Sequence, residues 1–282
     1  MLFTPTAVPA AQRDILDAPY LGGMWQVKFS HKPAVHLADI LMDAAGSGTL
    51  TDDIATALPI NTDGGAHVAV VAATPILSSA SLVITLACKD NTTPTVNTMN
   101  GVATFSPPTH VADQSFNFQT GYAVDLVPAT SGKKFTELTS LTTITNGSAG
   151  VQFQLLQLPD TADWVSIGCS GDVSFNDKSR TAKGIDCRLK SDAFVVRGKS
   201  NPGDLSIRAK YRGMADGLAR FSGSKVTCML EGLHDDQVLG DRLVFTQFTP
   251  TPAYEFPEGD GEAMVNVQGK FVDLLMFVAK LA

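Results

Sequence analysis

The sequence predicts a mainly β protein, an antiparallel β-sandwich or barrel with a short flanking helix and an additional β-rich domain or insertion. Three observations predict it. Short runs of alternating apolar and polar residues recur along the chain, Gly, Pro, Asn and Thr turns separate them, and no regular strand–helix alternation interrupts them. The half-polar runs imply one buried and one exposed face for each sheet. The chain has 282 residues, 44% of them apolar, enough for one large domain or two medium ones.

Residues 1–22 read as an extended N-terminal arm, punctuated by Pro5, Pro9 and Pro19 and closed by Gly22-Gly23. They hold too few apolar side chains to bury much alone, so the arm is either ordered against a partner or a frayed terminus. Residues 23–160 read as a β-rich domain. Met24–Ser30 has a strand rhythm, and the segment from His36 to Ala45 predicts a short helix over about 36–45, ended by Gly46 and Gly48. The valine-rich run from Ala66 to Ala73 predicts a buried strand, and Ser81–Cys88 alternates. Further strands are expected at Val102–Phe105, Ala123–Val127, Leu141–Thr145 and Gln152–Leu158. Residues 161–282 read as a β-sandwich assembly domain. There Val165–Phe175 alternates, Leu205, Ile207, Ala209 and Tyr211 face one way, and Ser206, Arg208 and Lys210 face the other. Lys225–Glu231, Arg242–Phe248 and Ala263–Phe271 repeat that form.

Charge separates the two larger units. Residues 1–160 hold 6 Lys/Arg and 12 Asp/Glu, whereas residues 161–282 hold 15 and 16, which places a boundary near Pro159 to Asp163. The whole chain carries −7, which argues against a basic nucleic-acid clamp. No run approaches twenty apolar residues, so no membrane span is expected. The first residues lack a cationic stretch followed by an apolar one, which predicts no signal peptide. Four scattered cysteines, Cys88, Cys169, Cys187 and Cys228, fit no small disulfide scaffold and are read as buried thiols, although composition does not fix their redox state.

Motifs for chemistry are missing. There is no GxxxxGK, GxGxxG, CxxC or GxSxG. His234-Asp235-Asp236 is the best local metal candidate, but adjacent residues diverge on a strand and a polar loop tip needs no metal, so a solvated turn is the expected reading. No catalytic residue, cofactor or metal is therefore expected. The strongest cluster is acidic: Glu255, Glu258, Asp260 and Glu262 crowd a loop over residues 255–262 that also holds Pro257, Gly259 and Gly261. Like charges at that spacing stay solvated unless cations meet them. Arg208, Lys210, Arg212 and Arg220 are the candidate counter-charges, presented by a neighbouring copy of the chain.

The order Trp164–Phe175, a charged region reaching Asp186, the loop Glu258-Gly259-Asp260-Gly261-Glu262 and the final strand Ala263–Phe271 resembles the tail tube proteins of long-tailed bacteriophages. In the first half, Gly121–Val127, Lys134–Ile144 and Gly150–Phe153 are similar to Thr/Ser/Val-rich segments of phage head and tail proteins. The resemblance implies a self-assembling virion subunit, built in the host cytoplasm. Hexameric rings would join their inner sheets, stack into a tube alongside other tail proteins, and pass DNA without sequence-specific binding. The chain is long for such a subunit. An extra domain, or another virion component (head decoration, tail terminator, baseplate ring), answers that departure. A cell-surface or carbohydrate-binding β module is the alternative class, with Trp25, Trp164 and Tyr254 as the aromatics to inspect.

Overall fold

The computed structural model describes residues 25–41, 58–59, 67–78, 80–93, 95–106, 116–118, 120–147, 150–176, 180–185, 194–200, 202–211, 218–233, 239–258 and 261–277. The expected arm at 1–22 lies outside them. Within them the period-two pattern governs what is buried. On β6 (Leu82–Asp90), Leu82, Ile84, Leu86 and Cys88 are buried while the residues between them are half-buried. Its neighbours are β7 (Asn97–Phe105), β10 (Val127–Pro128), β11 (Phe135–Thr145) and β3 (Leu58–Pro59), in the order β10-β7-β6-β11-β3. A second sheet runs β2-β12-β4-β9, with β2 (Val35–Leu41), β12 (Gln152–Leu158), β4 (His67–Ala72) and β9 (Ala123–Asp125). All these pairings are antiparallel. The two sheets enclose one core, in which Ile40, Val70, Ile84, Phe105, Phe135 and Phe153 meet. That is the β-sandwich. A two-stranded ribbon of β5 (Ile76–Ser78) and β8 (Phe116–Phe118) is separate from both sheets.

The third sheet closes on itself. β17 (Val226–Leu233), β1 (Trp25–Ser30), β13 (Val165–Asn176), β16 (Gly203–Lys210), β19 (Met264–Phe271) and β18 (Leu239–Glu255) pair in that order, and β18 returns to β17. Every pair is antiparallel, so six strands make a closed barrel, joined at β18, which pairs with β17 through residues 239–248 and with β19 through residues 249–255. β20 (Asp273–Phe277) continues β19 along the same side of β18 beyond a break at Val272. Val27, Phe29, Ile207, Leu230, Val267 and Phe271 fill the interior. β18 has to serve three partners, and it bends to do so: Gln247 takes a φ of 49° in a bulge that places both Phe245 and Phe248 in the core. Where β19 crosses that bend, a Cβ on Gly269 would lie 2.1 Å from the Thr249 carbonyl oxygen, so only glycine fits.

The sandwich and barrel share a seam. Ala69, Val71, Ala123 and Leu158, on the outer face of the second sheet, pack against Met229, Val244, Leu275 and Phe277 of the barrel. β4 is thus covered on both faces, which is why its sequence is an unbroken apolar run. Gly121 closes the seam with a φ of 93°, its carbonyl accepting from the Met276 N–H at 2.9 Å.

Two expectations need correction. Residues 36–41 form no helix; they belong to β2, with Ala38 and Ile40 buried and His36, Asp39 and Leu41 exposed, and residues 42–45 lie outside the described residues. Pairing with β12 and a place on the sandwich core outweigh a helical preference over so few residues. The only helical pieces among the described residues are a 3-10 turn, Thr161–Asp163, and one turn of α-helix, α1 (Leu218–Phe221). Second, strand β1 belongs to the barrel, so the sandwich, residues 35–158, is inserted between two neighbouring barrel strands.

Candidate assembly face

The sequence carries cations on one strand and carboxylates on a loop. The fold puts them on one surface. β13, β16, β19 and β18 present their outward residues in rungs set by register: Asn176, Asp204, Lys270 and Thr249; then Ser174, Ser206, Gln268 and Thr251; then Asp172, Arg208, Asn266 and Ala253. A fourth rung brings Lys210, Met264 and Glu255 together. The opposite faces of these strands supply barrel-core residues such as Ile207 and Val267. The result is a broad polar sheet face, with small hydroxyl and amide side chains at its middle and charges toward its ends.

Those charges are paired within the chain. Arg208 Nη2 lies 3.2 Å from Glu255 Oε2, and Lys210 Nζ lies 2.7 Å from Glu262 Oε1. Asn266 Nδ2 donates to Glu255 Oε1 at 3.0 Å, and Lys270 pairs with Asp204. Each pair is well exposed, with side chains between 45% and 65% accessible, so each contributes on the order of 0–1 kcal/mol. Their consequence is electrostatic: the lysines and arginine of this face already hold carboxylates.

Of the remaining candidates, Glu258 is exposed on the loop, and Arg220 is exposed on α1, which packs through Phe221 against Phe29 of the barrel core. Among the described residues Arg220 reaches none of the loop carboxylates. Arg212 and Asp260 lie outside the described residues. So do His234, Asp235 and Asp236, and no group of three potential metal ligands occurs among the described ones. Cys88 and Cys228 are buried free thiols. Burial pushes the Cys88 thiol up to about 12 against a backbone hydrogen bond, and drives Cys228 well above its ordinary value.

The two ends of the face differ. At one end Tyr211, Tyr254 and Phe256 cluster edge to face, with centroids 5.5 and 5.2 Å from Tyr211, and Phe256 is 65% exposed. The acidic loop begins there. At the other end, beyond Asn176, the chain leaves the barrel as a ribbon of β14 (Arg180–Ile185) and β15 (Phe194–Ser200) and returns at Gly203. Trp25 and Trp164 do not join Tyr254: they are half-buried against the barrel core and the seam respectively, and the Trp164 indole donates to the Pro159 carbonyl at 3.1 Å.

One charged cluster has no spacing signature in the sequence. At the seam, Asp125 of β9 accepts from Arg242 of β18 at 2.6 Å through Oδ2 and meets His67 Nε2 of β4 at 2.6 Å through Oδ1. Arg242 also covers the Phe277 ring at 4.5 Å. Burial raises the Asp125 pKa, but His67 and Arg242 outweigh it and hold the carboxyl well below the usual carboxylate range. Nearby, Lys134 and the Thr161 N–H lower Asp160 against the same burial. The partners of Asp125 stand 58 and 117 residues away, so no spacing rule finds them. The one local signal is an ionisable group at the end of each of two otherwise apolar strands. No family model, curated protein or solved structure matches this chain.

Proposed function

We propose that this chain is a self-assembling structural subunit of a phage tail tube, forming stacked, hexameric rings that conduct DNA. The observation that carries the reading is the polar, internally paired face of the barrel. DNA presents one negative charge about every 1.7 Å along its axis, and unpaired lysines or arginines on a conduit wall would hold it by counterion release. A wall of Ser174, Ser206, Gln268 and Thr251, flanked by cations that already hold carboxylates, offers hydration without grip.

Every barrel strand finds partners within the chain, so joining of inner sheets through the barrel would use its partly paired stretches, such as Thr249–Glu255 of β18. Other surfaces also support ring closure. The outer edge of β2 is one, since β2 pairs with β12 alone among the described strands and exposes Val35 and Leu41. Negative-stain microscopy of the concentrated protein is the test. Rings or tubes with a polar lumen are expected, together with no retardation of duplex DNA at 0.15 M salt. A particle that stays monomeric at every concentration overturns the reading.

A further inference from the structure

Prolines decide which backbone edges of this protein can take another strand. In an antiparallel pair, successive residues turn their N–H and C=O groups to opposite sides, so residues two apart share an edge. Pro250 and Pro252 lie two apart on β18, in the stretch Thr249–Glu255 that pairs with β19 without a register shift. β17 has already parted from β18 at Phe248, so the other side of this stretch has no partner strand among those described. The Pro250 carbonyl accepts from the Gly223 N–H at 3.2 Å. Gly223 leads into β17, so this bond lies on the side away from β19, and Pro250, Pro252 and Tyr254 all face the open side. The turn after α1 covers the first of these positions. The second has no N–H to give, and Tyr254 alone can donate from that edge. An added strand would meet a row of acceptors with one donor, which leaves its own carbonyls unpaired. The sandwich shows the same arrangement. The Ala129 N–H donates to the Asn100 carbonyl of β7 at 2.8 Å, so Pro128, one residue earlier on β10, turns its nitrogen outward. β3, at the opposite end of that sheet, carries Pro59. In the second sheet the chain entering β9 meets β20 through the Tyr122–Met276 bridge. β2 differs from all of these: its sequence VHLADIL holds no proline, and Val35 and Leu41 are exposed on it.

We propose that Pro252, together with the turn that covers Pro250, closes the open stretch of the barrel to strand addition, so that a second copy of this chain joins by backbone pairing at β2 and not at β18. Without the prolines, Thr249–Glu255 would be seven residues of unpaired edge beside the exposed rings of Tyr254 and Phe256, a template for uncontrolled pairing. The β2 contact rests on the assembly reading above, to which it adds the edge that the copies use. The closure of β18 does not depend on that reading.

Two measurements test it. Hydrogen exchange of the full chain, dilute and concentrated, reads the wild type directly: assembly should slow the amides of residues 35–41 and leave the Tyr254 amide exchanging as it does in the dilute protein. The second measurement restores the missing donor. Pro252→Val adds one N–H to the open edge at a half-buried position. Two such edges pairing across a twofold axis gain two backbone hydrogen bonds, so the variant should self-associate at a concentration on the order of tenfold lower than the wild type in sedimentation velocity. Its circular dichroism should be unchanged and its Tyr254 amide newly protected. Pro252→Ala, which restores the same donor with a smaller side chain, should act alike. Ala253→Val, which adds strand preference at an exposed position but no donor, should associate as the wild type does. Protection of Tyr254 in the assembled wild type, no protection there at residues 35–41, or Pro252 variants that associate no more than Ala253→Val overturn the proposal. If the wild type stays monomeric while the Pro252 variants associate, the closure of β18 stands and the tube reading falls; if rings form with Tyr254 protected, the tube reading stands and the closure falls.

Discussion

Asp125→Asn should destabilise the protein by about 3 kcal/mol. The substitution keeps the shape of the side chain and removes its charge, leaving Arg242 in the seam with a neutral partner. The two contacts at 2.6 Å join β9 to β4 and to β18, so they tie the sandwich to the barrel. Removing one member of a buried ion pair costs about 3–5 kcal/mol. The low end applies because Asp125 and Arg242 keep 21% and 16% of their side-chain surface exposed. In a chain of this size about 1 kcal/mol lowers the melting temperature by roughly 2 °C, so differential scanning calorimetry should show a fall of about 6 °C. Arg242→Met alone should cost a similar amount, and the double variant should fall short of the sum by about 2 kcal/mol, because the second substitution removes the charge that the first left stranded. The folded pKa of Asp125 is depressed, so its contribution is complete above the unfolded carboxylate value of about 4 and is lost as pH falls from there through the folded value. The gap between wild type and Asp125→Asn should therefore close only below about pH 4. A melting shift under about 1 °C at neutral pH, or full additivity of the two substitutions, would refute the idea that this cluster fastens the seam.

Other substitutions report on other parts of the fold. Ile40→Ala should cost about 2–4 kcal/mol in chemical denaturation and Leu41→Ala less than about 0.5, because Ile40 is buried in the sandwich core and Leu41 is exposed on β2; equal costs would point back to a helix. Gly121→Ala should lower stability by about 3 kcal/mol, since its φ of 93° excludes a side chain and the new Cβ would lie 2.8 Å from the Leu274 carbonyl oxygen. Cys88 should resist alkylation in the native protein at pH 8 and react fully in denaturant, as mapped by peptide mass spectrometry, because burial holds its pKa at about 12. Its raised value also means that the stability gained by keeping it protonated is present below the unfolded thiol value of about 8.5 and declines as pH rises from there.

Strand identity was legible wherever one physical pattern acted alone. β6 alternates because one face meets the core, and β4 does not alternate because both faces are covered. The segment around Ala38 misled for an equally physical reason. Leu37, Ile40 and Leu41 also fit helical spacing, and over seven residues the two periods cannot be separated without knowing that β12 lies alongside. The charged face was half legible. Composition exposed the opposite charges of Arg208, Lys210, Glu255 and Glu262, but their pairing within one chain depends on register between strands about fifty residues apart. Barrel closure was not legible, since it rests on β18 bending at Gln247, a residue type that gives no warning of positive φ.

Closure changes which physics can join copies of this protein. Among the described strands the barrel leaves only short stretches with one partner, such as Thr249–Glu255 of β18, which pairs with β19 alone, so its ends associate mainly through side chains. The outer edge of β2 can associate through the backbone itself. The two modes answer differently to salt. Backbone pairing at β2, supported by exposed Val35 and Leu41, should be indifferent to ionic strength or strengthened by it. Contacts made by charged side chains at the ends of the barrel should weaken as the screening length shrinks from about 8 Å at physiological salt to about 3 Å at 1 M. Raising salt should therefore separate axial from lateral association in one preparation. Short rings surviving in 1 M salt would assign stacking to the charged ends and ring closure to the strand edge; tubes that dissolve laterally while keeping their axial order would reverse that assignment.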